Sequence, residues 1–280
     1  MTADFWRRMA VARVRIMRQG IATGFKEARA FGVLAALLVQ GLALVVQTAA
    51  AQSVPERVEP RPRANPREAP WRGVGKLQST AGSLRTTCTG TLIGVRMVLT
   101  AAHCLVNART GRDYLPSSVH FIVGLEGQTY AAAATAVELI KGSFDPSHPV
   151  ETRGADWALV LFDAPIGTAD RILPLSERPP IPGTAVMVGG YAQENPNVIT
   201  ADKSCQVIGY SADAWGRLLT KHNCRATRGV SGAPLLVRTD DGWSVAGVNV
   251  ARSGIHLDSL AVTTAEILSR AKEAGGFPAR

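Results

Sequence analysis

A chain of 280 residues, 46% of them hydrophobic, can bury a substantial core as one large domain or two small ones, so a folded enzyme is within its size. Its formal net charge of +9 would suit a nucleic-acid or membrane partner, but residues 1–51 account for +5 of it and the remainder for +4. That remainder has no basic, aromatic-interleaved cluster, which sets nucleic-acid binding aside.

The first segment has the three parts of a secretory signal: a basic stretch from Arg7 to Arg29, the apolar run Phe31 to Val46, and the small residues Ala49-Ala50-Ala51. Cleavage after Ala51 and a secreted or periplasmic location are the expectation. The alternatives are translation from Met9 or Met17, or retention of residues 31–46 as a membrane anchor, although 16 residues broken by Gln40-Gly41 are short for a span of about 20. Only in that second case is a membrane partner implied. Residues 52–70 follow, with Pro55, Pro60, Pro62, Pro66 and Pro70 too closely spaced for a helix or a central strand, and read as a linker or short pro-segment.

From Trp71 onward the texture changes. Runs such as Thr91 to Thr100, Val119 to Val123, Trp157 to Phe162, Ala185 to Val188 and Ser244 to Val250 read as strands, separated by turn residues at Gly124, Pro165, Gly183 and Asp241-Gly242. With 27 glycines, 16 prolines and 6% aromatics, the pattern predicts an all-β body, a sandwich or a pair of barrels. Near the end, Thr263 and Glu266 have capping-box spacing for a helix through Ile267, Leu268 and Ala271, stopped by Gly275-Gly276. The cysteines, Cys88, Cys104, Cys205 and Cys224, all lie downstream of the signal. An even number without CxxC spacing favours disulfides over a zinc site.

The segment Cys88-Thr-Gly-Thr-Leu-Ile-Gly-Val-Arg-Met-Val-Leu-Thr-Ala-Ala-His103-Cys104 predicts a hairpin of apolar strands ending in a histidine. A general base has to be held in one place beside its nucleophile, which a fixed strand end provides. The run Leu-Thr-Ala-Ala-His-Cys, with a cysteine 15 residues before the histidine, resembles the base motif of trypsin-like serine peptidases. Next, Gly154-Ala155-Asp156-Trp157-Ala158-Leu159-Val160 is similar to the family's Asp-x-Ala-Leu motif. This resemblance assigns Asp156 the holding of the imidazole, while Asp145, Asp163 and Asp170 fit bland loop or strand-edge roles better. Finally, Arg228-Gly229-Val230-Ser231-Gly232-Ala233-Pro234 resembles the nucleophile loop, with the amides of Gly229 and Ser231 as its oxyanion donors. The chain order His103, Asp156, Ser231 is that of this family, whereas α/β-hydrolases place serine first and histidine last.

Over Trp71 to Gly275 the resemblance implies two six-stranded antiparallel barrels with the active site between them, a C-terminal helix, and pairing of Cys88 with Cys104 and of Cys205 with Cys224. It implies a protein or peptide substrate and neither a metal nor an organic cofactor. The sequence carries no indication of oligomeric state. Two departures agree with each other: Val230 stands where most members carry an aspartate that pairs with a freed amino terminus, and Trp71-Arg-Gly-Val-Gly replaces the expected Ile-Val-Gly-Gly start. The pattern is therefore nearer to bacterial glutamyl-endopeptidase-like relatives than to digestive trypsin.

Arg225 stands six residues before Ser231, where trypsin has its selecting aspartate, which argues against basic substrates. Ala246 to Arg252 should wall the specificity pocket, with Asn249 where glutamyl endopeptidases tend to carry a histidine. Arg225, Asn249, Val250 and Arg252 are thus the candidate substrate-binding residues. The two arginines either attract an acidic side chain or point to solvent around a small apolar pocket. Two alternatives to a peptidase stay open: a protease-fold binding protein without catalysis, and a hydrolase of small esters.

Overall fold

The computed structural model describes residues 60–252 and 258–274. The expected signal, the linker up to residue 59 and the Gly275-Gly276 helix stop lie outside the described residues. Twelve strands form two closed antiparallel barrels of six, in the orders β1-β2-β3-β6-β5-β4 and β10-β11-β12-β9-β8-β7. The first contains β1 (Val74–Ala81), β2 (Leu84–Leu92), β3 (Met97–Thr100), β4 (Val119–Val123), β5 (Ala132–Lys141) and β6 (Ala158–Phe162). The second contains β7 (Ala185–Gly190), β8 (Thr200–Ala212), β9 (Leu218–His222), β10 (Pro234–Thr239), β11 (Gly242–Arg252) and β12 (Ser259–Thr263). This is the all-β, two-barrel architecture expected.

Apolar side chains fill the barrel interiors. Leu77, Leu92, Leu99, Phe121, Leu159 and Phe162 are fully buried in the first, and Val188, Val207, Leu235 and Ala261 are equally buried in the second. Strand β6 is buried along most of its length because β3 and β5 flank it on both edges. A single helix, α1 (Thr264–Glu273), closes the described chain and buries Ile267 and Ala271. It starts where the sequence placed it, but the Thr263 side chain makes no capping hydrogen bond. The Thr264 hydroxyl instead donates to the Ser176 carbonyl at 2.7 Å, tying the helix start to the inter-barrel segment.

From Pro60 the proline-rich stretch lies against the second barrel. The Ala64 amide donates to the Ile199 carbonyl and the Ala201 amide to the Pro62 carbonyl, both at 3.0 Å. These bonds flank an antiparallel bridge between Arg63 and Thr200. Prolines fit here because the strap lies on a sheet edge, where Pro62 contributes only its carbonyl and the donor of the other bond is Ala64.

His222, at the end of β9, is fully buried, and among the described residues its ring nitrogens find no well-formed hydrogen bond, Asn249 being the polar side chain that faces them. Burial pushes its pKa down to about 4, against the upward pull of Asn249, Asp202 and Asp258. In the unfolded chain a histidine takes its proton near 6.5, so the folded state is fully favoured above that pH and loses stability as pH falls toward 4. The full loss is about 3 kcal/mol. His103 is shifted the other way, raised above 6.5 by Asp156, so its contribution is lost as pH rises rather than as it falls. Urea midpoints between pH 7 and 4.5 should fall in the unsubstituted chain and lose most of that slope in His222→Leu.

Candidate active site

The joint between the barrels is built around Thr89, a fully buried residue of β2 beside Cys88. Its amide donates to the Ser231 carbonyl at 2.8 Å, its hydroxyl donates to the Gly229 carbonyl at 2.9 Å and accepts from the Tyr191 amide at 3.0 Å. Its carbonyl takes the Thr100 hydroxyl at 2.8 Å. On the far side, the Gly232 amide donates to the Asn249 carbonyl and the Asn249 amide to the Ala233 carbonyl, each at 2.8 Å. The loop carrying Ser231 is therefore held by both barrels. At Gly232 the approach is so close that a Cβ would lie 2.2 Å from the Thr89 carbonyl oxygen and 3.0 Å from the Ala101 nitrogen. This contact seats Ser231 beside the segment Ala101-Ala102-His103.

His103 sits in a single 3-10 turn, Ala102–Leu105, directly after β3. The Cys88–Cys104 disulfide fixes the turn to β2, as the resemblance implied, and Cys205–Cys224 joins β8 to the loop after β9. Among the described residues, the one grouping of three side chains of metal-ligating type is Cys88, His103 and Cys104, and both sulfurs are committed to the disulfide.

Asp156 grips His103 with both oxygens. Oδ1 accepts the His103 backbone N–H at 2.8 Å, and Oδ2 lies 2.7 Å from Nδ1. The carboxylate is buried, while the imidazole keeps an open edge, the arrangement of an orienting acid behind an accessible base. Burial alone would lower the pKa of His103, but the charge and hydrogen bond of Asp156 outweigh it and raise it above 6.5. Phe144 stands beside the imidazole, its ring tilted 58° with centroids 6.4 Å apart. Among the described residues Ser231 Oγ makes no hydrogen bond to His103, a contact that commonly tightens only when substrate binds.

The turn preceding Asp156, Arg153–Ala155, is held from the second barrel. Asp213, at the tip of the β8–β9 hairpin, accepts the Gly154 amide at 2.9 Å, the Arg217 amide at 3.0 Å and Arg217 Nε at 2.7 Å. Burial would raise the pKa of Asp213, but these bonds, Arg217 first, bring it below the usual aspartate value.

Gly229 has φ +90°, and a Cβ there would meet the Tyr191 carbonyl oxygen at 2.4 Å. Among the described residues, neither the Gly229 nor the Ser231 amide is spent on an internal hydrogen bond. Val230 is fully buried with Val186, Val188, Ala226 and Leu235, so an apolar cluster occupies the position where an aspartate would need a cationic partner.

Beside Ser231 opens a cavity of about 400 Å³, walled by Ala226, Thr227 and Arg228 on one side and by Asn249, Val250 and Ala251 on the other. Asn249 and Val250 thus line this cavity. Arg225 is not among the lining residues: its amide and Nε both reach Asp202 Oδ2, at 2.8 and 3.4 Å, because the chain turns there toward β8. The Arg252 side chain lies outside the described residues. Arg228, Thr89, Phe144 and Asp213 were not singled out from sequence. Their partners come from remote parts of the chain, and no local pattern marks them.

Two closed six-stranded antiparallel barrels with a short C-terminal helix define the chymotrypsin-like class of fold. The solved structures agree. A Glu endopeptidase matches with a TM-score of 0.61 at 22% identity, over 77% of this chain and 96% of its own. A thermostable serine protease, AL20, from an extremophilic microorganism matches with a TM-score of 0.57 at 16% identity, over 73% of this chain and 96% of its own. The family model of the trypsin-like peptidase domain matches residues 88–248, more than half of the sequence. The chain belongs to the trypsin-like peptidase family and is a serine peptidase.

Proposed function

We propose that this protein is an exported serine endopeptidase that cleaves peptide bonds through an acyl-enzyme, with Ser231 as nucleophile, His103 as general base and Asp156 as the orienting acid. The two-point grip of Asp156 on His103 carries this reading. With Oδ2 taking the proton on Nδ1, Nε2 is left as the acceptor and faces the open edge. His103 Nε2 removes the Ser231 proton as Oγ attacks the scissile carbonyl, then returns it to the leaving amine. Water repeats the cycle on the acyl-enzyme. The amides of Gly229 and Ser231, uncommitted among the described residues, would donate to the oxyanion.

The buried Val230 supports a loop that needs no activation ion pair, so that export and signal removal suffice for activity. Two disulfides support an oxidising destination, secreted or periplasmic. No helix among the described residues is long and apolar enough to cross a membrane, and the apolar run 31–46 lies outside them. The cavity wall is mixed, apolar at Ala226, Val250 and Ala251 and polar at Thr227, Arg228 and Asn249. Arg228 is the cation that favours an acidic side chain on the acyl side of the cleaved bond, as the Glu endopeptidase likeness also suggests.

The test is covalent labelling by a fluorophosphonate mapped to Ser231, together with turnover of casein and cleavage profiling on a peptide library. Labelling without casein turnover would favour a small-ester hydrolase, and no labelling would favour a binding protein. A profile without Asp or Glu enrichment would overturn the acidic preference. Gly229→Ala forces a Cβ onto the Tyr191 carbonyl and should cost about 10²–10³ in kcat, the worth of one oxyanion donor, with folding retained. Steady-state kinetics beside a thermal melt check it.

A further inference from the structure

We propose that Arg61 is a positioning residue for the substrate pocket, and that the strap from Arg61 to Pro66 is a working part of the enzyme rather than a segment discarded on maturation. This rests on the serine-peptidase reading and adds a residue outside both barrels to its machinery.

Arg61 is buried, with its side chain only 3% exposed. It comes from the strap, and its Nη2 reaches Thr227 Oγ1 at 3.4 Å and Glu194 Oε1 at 3.8 Å. Thr227 in turn donates to the same Glu194 oxygen at 2.7 Å. Thr227 walls the cavity beside Ser231 and is two residues from Gly229. Glu194 follows the segment that backs Gly229, where the Gln193 amide bonds the Arg228 carbonyl at 2.7 Å. One guanidinium thus joins three pieces of chain that have no strand pairing among them: the strap, residues 191–194 and the pocket wall 225–229.

The wall needs such support. It is irregular from Asn223 to Val230. The Cys205–Cys224 bridge and bonds to Gln206, Ser259 and Asp202 hold Asn223 to Arg225, and the Gln193 amide holds Arg228. Among the described residues the Thr227 side chain is held only by Arg61 and Glu194. Arg61 also sits expensively. Among the described residues its Nε and Nη1 are buried without a hydrogen-bond partner, and burial depresses its pKa ahead of the opposing pull of Glu194 and Asp202. Apolar side chains would fill that space at less cost, but they could not hold the Thr227 hydroxyl and the Glu194 carboxylate together. Since Val230 removes any need for a cation at the base of the loop, the cation acts from outside, on the pocket wall, as an internal side chain.

The experiment compares the full chain with Arg61→Met, Arg61→Lys and Thr227→Val by hydrogen exchange, peptide kinetics and the rate of fluorophosphonate labelling. Losing a charge-assisted contact should speed exchange of the 223–229 amides and raise KM by about tenfold in Arg61→Met, with barrel exchange and labelling rate unchanged. Arg61→Lys should recover part of both, which a purely packing role would not give. Wild-type exchange at 223–229 in Arg61→Met overturns the proposal. If that variant does not fold, Thr227→Val decides, because it leaves the strap in place and removes the hydroxyl. Faster exchange at 223–229 there supports the proposal, and unchanged exchange overturns it. Exchange requires no turnover, so a chain that hydrolyses nothing would refute the peptidase reading while the loop result still stood on its own.

Discussion

Ser231→Ala is expected to lower kcat for peptide hydrolysis by about a millionfold and to leave KM within about a factor of two. The separation of the two effects follows from how the loop is held. Its ties run through backbone atoms, the Ser231 carbonyl on the Thr89 amide and the Gly232 amide on the Asn249 carbonyl. The Ser231 hydroxyl makes no described hydrogen bond, so removing it disturbs neither the joint nor the cavity. What is lost is the nucleophile. Fluorophosphonate labelling should vanish with it, and the residual rate should be that of the oxyanion donors and substrate binding, about 10³–10⁴ over water. Active-site titration and steady-state kinetics measure both quantities. A variant as active as its parent would place the nucleophile elsewhere and remove the mechanism proposed above.

Much of this site was legible in the sequence because its chemistry sits in short, contiguous motifs. Thr-Ala-Ala-His-Cys and the Gly-Val-Ser-Gly loop each place a reactive side chain between small residues, and the structure puts both at the inter-barrel joint. The apolar strands β3, β4 and β6 were readable for a similar reason, being buried for most of their length. Strand β8 was not. Its thirteen residues include Lys203, Ser204 and Gln206, which face outward, and the buried Asp202, so in sequence it looks like a loop. The supports of the site were also silent. Asp213 lies 57 positions from the Asp156 whose turn it holds, and Thr89 lies 140 from the Gly229 carbonyl it binds. Composition read residues 52–70 as a linker or short pro-segment, and from Pro60 the described part of that stretch lies along a sheet edge. Prolines are compatible with a strap on a sheet edge, and the sequence alone does not tell the two apart.

Asp156→Asn is expected to cost about 10⁴ in kcat while leaving the fold intact, and the hydrogen bonds in the site say why. Oδ1 of Asp156 accepts the backbone N–H of His103, a donor that cannot reverse. An asparagine must keep its carbonyl oxygen on that N–H, which turns its NH2 toward Nδ1. Nδ1 then becomes an acceptor, and the ring proton moves to Nε2, the atom that has to receive the Ser231 proton. The base is present, correctly placed and in the wrong tautomer. The pH dependence separates this from damage to the structure. In the unsubstituted enzyme burial lowers and Asp156 raises the pKa of His103, with the rise winning, so kcat/KM should climb with a midpoint above 6.5 as the imidazole loses its proton. Without the carboxylate charge only burial remains, and the midpoint should move below that of the parent although the plateau is about 10⁴ lower. A pH–rate profile of the two proteins reads both shifts at once. A lower plateau with an unmoved midpoint would mean that Asp156 is not the group that sets the charge of His103.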